Sequence, residues 1–235
     1  LPSRKIIGFE ALARIKKGKK IYLPSEFIDY LEESPYLQAF EEWGFKEIIK
    51  QIQKWRIKFS INISARSFFE ENFLNRFREI PLDILPNLCI EITERTIIKD
   101  MQRAKKILSE LKKIGSQKKT LTIALDDFGT GYSSLHEIKE LPVDILKIDR
   151  SFIQDMTKDK KNLNLVKAVI NLAHNFGLSV CAEGVETEEQ CKILSDLGCD
   201  YAMGFYLGKP LPEEQLDVLF FANPSPLPSS TRGQG

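Results

Sequence analysis

The 235-residue chain carries 34 Lys and Arg against 33 Asp and Glu, a formal charge of +1. That length suffices for one large core, and the charge balance excludes binding of bulk DNA or RNA through net charge. No apolar run approaches the roughly 20 residues that span a bilayer, no secretory signal is visible, and a first residue other than Met reads as a piece of a larger protein. In chain order, β-type runs are predicted at 5–12, 57–63, 87–93, 120–126, 143–149, 178–183 and 201–207. Lys16–Lys20 (KKGKK) reads as a solvated loop, with phosphate binding the lesser alternative. Met101, Ala104, Leu108 and Leu111 recur at helical spacing before Gly115. Leu163, Val166, Val169, Ile170, Ala173 and Phe176 do the same before Gly177. Thr187-Glu188-Glu189-Gln190 is a capping box that opens a helix stopping at Gly198.

Strands alternating with helices specify an α/β fold built on a parallel sheet. The range 1–222 is expected to form the folded domain. Residues 223–235, rich in Pro, Ser and Gly, read as a disordered tail or linker. The four cysteines form no C-x-x-C pair, and His136 and His174 are the two imidazoles. The set fits reduced thiols of a cytoplasmic protein rather than a zinc site.

Side chains two apart on a strand share a face. One face carries Ile7 and Phe9, Phe59 and Ile61, Leu88 and Ile90, Ile123 and Leu125, Leu146 and Ile148, suited to packing under helices. The other carries Glu10, Asn62, Glu91, Asp126, Lys147 and Glu183 near the C-terminal ends. Two positions earlier stand Gly8, Ser60, Cys89, Ala124, Ile145 and Cys181, five of them small. Small inward residues below functional groups at six strand ends fit a (β/α) TIM-type barrel, whose sites lie at that rim. An open doubly wound sheet gathers its ligand at one switch point instead.

The run Leu121–Leu125 ends in Asp126-Asp127 and then Phe128-Gly129. Adjacent carboxylates at a buried strand end repel and resist desolvation unless a cation lies between them. With Glu10, Asn62, Glu91, Glu94 and Glu183 they form a set of hard oxygen donors, suited to Mg²⁺ or Mn²⁺. Two such ions would suit phosphoryl transfer, with Asp126 as the bridging ligand and Lys147 holding the attacking water. Blander readings stand beside each residue. Glu10 or Glu91 alone fits an ion pair, Asn62 a cap for a helix near Ser64, and Asp126–Gly129 a turn. Glu183 and Glu186 fit an acidic approach to the next helix. His174 reads as surface, and His136 gives no signal. A Schiff-base role for Lys147 ranks low, because surrounding carboxylates favour the ammonium.

Glu10-Ala11-Leu12 followed by Arg14 resembles the signature of the EAL domain family. Further likeness lies in Asn62-Ile63-Ser64-Ala65-Arg66, Glu91-Ile92-Thr93-Glu94, the stretch 126–135 (DDFGTGYSSL), Lys147–Phe152 and Ala182–Thr187. The resemblance covers about residues 6–211. It implies a bacterial phosphodiesterase that opens cyclic di-GMP to linear pGpG on a modified TIM barrel with two Mg²⁺ or Mn²⁺ ions, Ca²⁺ being inhibitory. By motif match, Glu10, Asn62, Glu91 and Asp126 would hold one ion, and Asp126, Asp127 and Glu183 the other. Lys147 would contact the catalytic water, and Glu183 is a second candidate base. Arg14 and Asp149 would contact the nucleotide. Glu94 and Glu186 would steady the site and the 126–135 loop. The resemblance also implies homodimerisation, through that loop or a barrel edge, and sensor or cyclase domains as neighbours in the parent chain. Membrane tethering of that parent is left open.

Two departures from the family pattern stand out. Met203 occupies the place of a Gln before Gly204, and a thioether cannot replace an amide's hydrogen bonds. The first barrel strand, which would hairpin onto 5–12, is absent from this chain, exposing an edge that invites strand pairing. Together they support a second reading: a degenerate domain that binds cyclic di-GMP or a protein partner with little turnover.

Overall fold

Residues 5–115, 120–129 and 138–222 are described by the computed structural model. In chain order the strands are β1 (Gly8–Glu10), β2 (Ile15–Lys17), β3 (Lys20–Tyr22), β4 (Lys58–Asn62), β5 (Leu88–Thr93), β6 (Thr122–Phe128), β7 (Ile145–Ile148), β8 (Ser179–Ala182) and β9 (Tyr201–Ala202). Seven of them form one curled sheet in the order β1-β4-β5-β6-β7-β8-β9. All six of its neighbour pairs are parallel. Among the described residues β1 and β9 each have one strand neighbour.

All seven predicted runs contain a strand of this sheet, within a residue or a few of the expected ends. The run 201–207 keeps only Tyr201–Ala202. Residues 16–20 belong to the β2–β3 hairpin rather than to an irregular loop. Helices Pro24–Glu33 and Leu37–Trp55 were not resolved as elements in the sequence pattern.

The apolar face of the sheet is covered as its alternation required. Leu88, Ile90, Ile123, Leu125, Leu146, Ile148, Val180 and Ala182 are buried. Against them lie Ile48 and Ile52 of Leu37–Trp55, Ala104, Leu108 and Leu111 of Met101–Lys113, Val166, Ile170 and Ala173 of Lys160–Asn175, and Leu194 of Glu188–Asp196. Ile7 departs from the pattern: it precedes the three-residue edge strand β1 and is exposed.

The helix ends follow the sequence chemistry. Asp100 accepts from Arg103 N at 3.0 Å and caps Met101–Lys113. Thr187 and Gln190 form the predicted reciprocal box, with bonds of 3.2 and 3.0 Å. The expected hairpin turn over residues 1–4 and the tail at 223–235 lie outside the described residues.

Beyond β9 the chain crosses directly over the segment that follows β8. Met203 N donates to Ala182 O at 2.9 Å, Val185 N to Met203 O at 3.0 Å, and Tyr206 N to Val185 O at 3.0 Å. The crossing is possible because Gly204 sits at φ +150°, where a Cβ would lie 2.2 Å from Val185 N. Gly204→Ala is therefore expected to cost about 1–3 kcal/mol or more in urea unfolding. Gly208→Ala, where nothing lies within 4 Å, should stay within about 0.5 kcal/mol. Equal stability of the two variants would count against a tight crossing.

Candidate active site

Strand polarity sends every C-terminal end of the sheet to one rim, and the inward side chains there are polar. Glu10 ends β1, Asn62 ends β4, Glu91 lies in β5, Asp126 and Asp127 in β6, Lys147 in β7, and Glu183 directly follows β8. Register staggers them: Asn62 is level with Glu91, and Thr93 with Asp126.

Lys147 occupies the centre. Its Nζ lies 2.7 Å from Glu91 Oε2, 2.6 Å from Glu183 Oε1 and 3.2 Å from Asp126 Oδ1, with the lysine side chain 3 % exposed. Burial works against the ammonium, but Glu91, Glu183 and Asp126 outweigh it and hold the amine well above the ordinary lysine range. A neutral nucleophilic amine is thereby disfavoured, as the surrounding carboxylates implied.

The carboxylates show the opposite imbalance. Burial lifts Glu91 to about 7 and Glu183 to about 8; Lys147 pulls both down, while Glu10 and Asp126 push both up. Asp127 is also raised, by burial and then by Asp126 and Asp149. One ammonium does not offset this much buried negative charge, so the rim retains a demand for further cations.

Two irregularities bring Asp127 into the group. Plain alternation would turn it away from Asp126. The β6–β7 register shifts between Leu125 and Phe128, and Asp127 takes φ +56°, a strained conformation for a non-glycine residue. Its N–H donates to Asp126 Oδ1 at 2.9 Å. As a result, one oxygen each from Asp126, Asp127 and Glu183 lies within 4.8 Å of the others. A bulge that re-aims a side chain next to a site is a recurrent use of this irregularity.

Asn62 is exposed, and its Nδ2 donates to Glu10 Oε1 at 2.9 Å, so these two residues stand side by side. Asn62 does not cap the following helix; Ser64 does, accepting from Ser67 N at 3.2 Å. Glu94 is buried at the start of Glu94–Lys99 and accepts from Gly129 N at 3.1 Å, fastening the end of β6. The rest of the predicted 126–135 loop, from residue 130, lies outside the described residues, as does His136. His174 is at the surface, 2.8 Å from Asp200 Oδ2.

Of the remaining predicted site residues, Asp149 is near enough to Asp127 to help raise it. Asp149 caps Arg150–Asp155 through Ser151 N at 3.0 Å. Arg14 is exposed and donates to Ala13 O. Glu186 is exposed, and buried Gln190 holds the neighbouring backbone. The Gln190 Oε1 accepts from Glu186 N at 2.8 Å, and its Nε2 donates to Ile153 O at 3.1 Å. The capping-box spacing marked Gln190 as a cap; its reach to Ile153, across the turn after β7, was visible only in the fold. Cys89, pushed by burial to about 12, and Cys181, pushed well above its usual range, stay protonated. The donors on offer to a cation are therefore oxygens.

A model of the EAL domain family matches residues 1–210. Signaling protein YkoW of Bacillus subtilis is 35% identical over 94% of the chain, which covers 28% of that protein. The bifunctional diguanylate cyclase/cyclic di-GMP phosphodiesterase MucR of Pseudomonas aeruginosa is 35% identical over 92% of the chain and 32% of its own length. The chain thus spans about a third, or less, of the length of these relatives. Among solved structures, a MucR phosphodiesterase in complex with c-di-GMP superposes with a TM-score of 0.84 at 35% identity, covering 90% of this chain and 88% of that one. An EAL domain protein of Listeria monocytogenes gives 0.81 at 33% identity, covering 94% and 88%.

The charge balance at Lys147 is open to direct measurement. Glu91 and Glu183 have folded pKa values above their unfolded ones, so the stability they contribute is full in acid and is lost as pH rises through 7 to 8. Lys147→Met removes the group that limits this loss. The variant should be about 3–5 kcal/mol less stable than the parent at pH 8 and much closer to it at pH 5. A destabilisation independent of pH, in paired denaturant titrations, would contradict the carboxylate account.

Proposed function

The chain belongs to the EAL domain family, and on that premise we propose that it is a metal-dependent phosphodiesterase opening cyclic di-GMP to linear pGpG. The reading is carried by the meeting of Asp126, Asp127 and Glu183 within 4.8 Å. It is reinforced by the buried ammonium of Lys147 beside them.

The donor chemistry fits Mg²⁺ or Mn²⁺, and among the described residues Asp126, Asp127 and Glu183 come close enough to share one ion. The donors are hard oxygens, and the raised carboxylates Glu91 and Glu183 mark negative charge that is not fully offset. Glu10, Asn62, Glu91 and Asp126 would hold one ion, and Asp126, Asp127 and Glu183 the other. Such ions supply Lewis-acid polarisation of a phosphoryl oxygen and a more acidic water.

The chain's own groups have separate tasks. Lys147, fixed as an ammonium by three carboxylates, orients the attacking water and keeps the anionic ligands close without collapse. Glu183, 2.6 Å from the Lys147 ammonium and grouped with Asp126 and Asp127, is the second candidate for taking that water's proton. Arg14 and Asp149 would contact the nucleotide, as the family motifs imply. Glu94 fixes the backbone at Gly129 and so the aim of the Asp126-Asp127 turn.

A second reading rests on Met203. Its backbone continues the β8–β9 pairing, but its thioether offers no donor and only a weak acceptor. The domain would then bind cyclic di-GMP with little turnover. Incubation with cyclic di-GMP and Mn²⁺ should give pGpG, with none from Glu10→Ala and none when Ca²⁺ replaces Mn²⁺. Met203→Gln should raise the rate, by up to about 10²-fold if the lost bond acts in the transition state. Tight nucleotide binding with no pGpG from either chain would favour the binding module. Mn²⁺ should also raise Tm more at pH 8 than at pH 6, since it takes deprotonated carboxylates.

Homodimerisation, through a barrel edge or the 126–135 loop, belongs to the same reading; β1 has one strand neighbour among the described residues, and Ile6 and Ile7 beside it are exposed. Sedimentation should then give a concentration-dependent dimer; a monomer at all concentrations would remove this part of the proposal.

A further inference from the structure

The β2–β3 hairpin, which follows Glu10 at the rim end of β1, concentrates positive charge. Its two strands bring Lys17 directly opposite Lys20, with Gly18 and Lys19 between them and Lys16 opposite Ile21. Positive φ at Gly18, +61°, and not at Lys19 suits a tight two-residue turn. Lys16, Lys17, Lys19 and Lys20 are all exposed.

Like charges set directly opposite each other destabilise a hairpin, and the fold answers them only in part. Lys20 lies 3.6 Å from Glu26 and 4.0 Å from the centre of the Tyr22 ring. Lys16, Lys17 and Lys19 have no ion-pair partner among the described residues. The chain as a whole carries only +1, so this is a local excess rather than part of a basic protein.

Position gives the excess a use. Lys16 is six residues beyond Glu10, which bounds the separation of the two backbones at about 21 Å. The rim itself is lined by Glu10, Glu91, Asp126, Asp127 and Glu183 with one lysine among them. With the two divalent ions of the proposed function in place that acidic rim comes only to about neutral, so it offers a ligand with two phosphodiester charges little long-range attraction of its own. The exposed lysines, within about three Debye lengths at physiological salt and within one at low salt, supply that attraction, most strongly at low salt.

We propose that the hairpin Lys16–Lys20 is an electrostatic collecting surface that speeds the approach of the dianionic cyclic dinucleotide to the rim. This rests on the phosphodiesterase reading, and it concerns association rather than the chemical step. Its test is the triple variant Lys16→Gln, Lys17→Gln, Lys19→Gln, with a triple Lys→Arg variant as the charge-keeping control.

Stopped-flow association of a fluorescent cyclic di-GMP analogue is followed from about 10 to about 300 mM ionic strength. The Gln variant should associate about tenfold more slowly at low salt. Its salt slope should be flatter, its rate should converge on the parent's at high salt, and its kcat should be unchanged. The Arg variant should match the parent. Normal parental binding with the same salt slope in the Gln variant overturns this inference alone. A parent that neither binds nor hydrolyses the nucleotide overturns the functional reading with it. An unchanged association rate, with loss of binding to phosphatidylglycerol vesicles, overturns it in favour of a membrane surface.

Discussion

The buried ammonium of Lys147 is the interaction on which the site depends. Three carboxylates from three different strand ends approach within 3.2 Å of it. Without a cation there, desolvation and mutual repulsion would drive those groups to protonate or to separate. The lysine thereby lets Glu91, Asp126 and Glu183 converge before any metal arrives. It leaves them short of full compensation, as the upward displacement of Glu91 and Glu183 shows. A centre that is assembled yet still electrostatically unsatisfied is suited to taking up divalent ions reversibly.

That convergence rests on a rigid frame. The strands bearing the site are short, and their opposite faces are locked under helices by residues such as Ile90, Leu125, Leu146 and Val180. Small interior residues below the rim leave room for it. Polar clamps then fix the turns: Glu94 on Gly129, Ser64 on the segment after Asn62, and Gln190 between Ile153 and the segment after Glu183. Packing sets the strands, and these hydrogen bonds set the aim of the residues just past them.

Much of this could be read from the chain. The seven strands of the sheet, the inward polar row and the hard-oxygen character of the donors followed from period-2 alternation and residue chemistry. The capping box at Thr187 was equally local. The hairpin at Lys16–Lys20 was less legible, because four lysines in five residues carry almost no apolar pattern. The helix Leu37–Trp55 was missed where charged and aromatic residues interrupt its apolar stripe. The buried amide of Gln190, which holds the backbone at Glu186 and reaches Ile153, was legible only as a cap, because its second partner comes from another part of the chain.

The sequence by itself determined the strand–helix order, the faces of the strands, the acidic set with its lone lysine, and the family motifs. These depend on spacing within single segments, where backbone geometry leaves few alternatives. Tertiary structure alone decided that Asp127 joins Asp126 and Glu183, because a register shift and a left-handed backbone angle override alternation there. It also decided that Lys147 is shared among three carboxylates and that Gln190 reaches Ile153. Each of these joins residues far apart in the chain, and their meeting is set by strand stagger and packing, which no local pattern encodes.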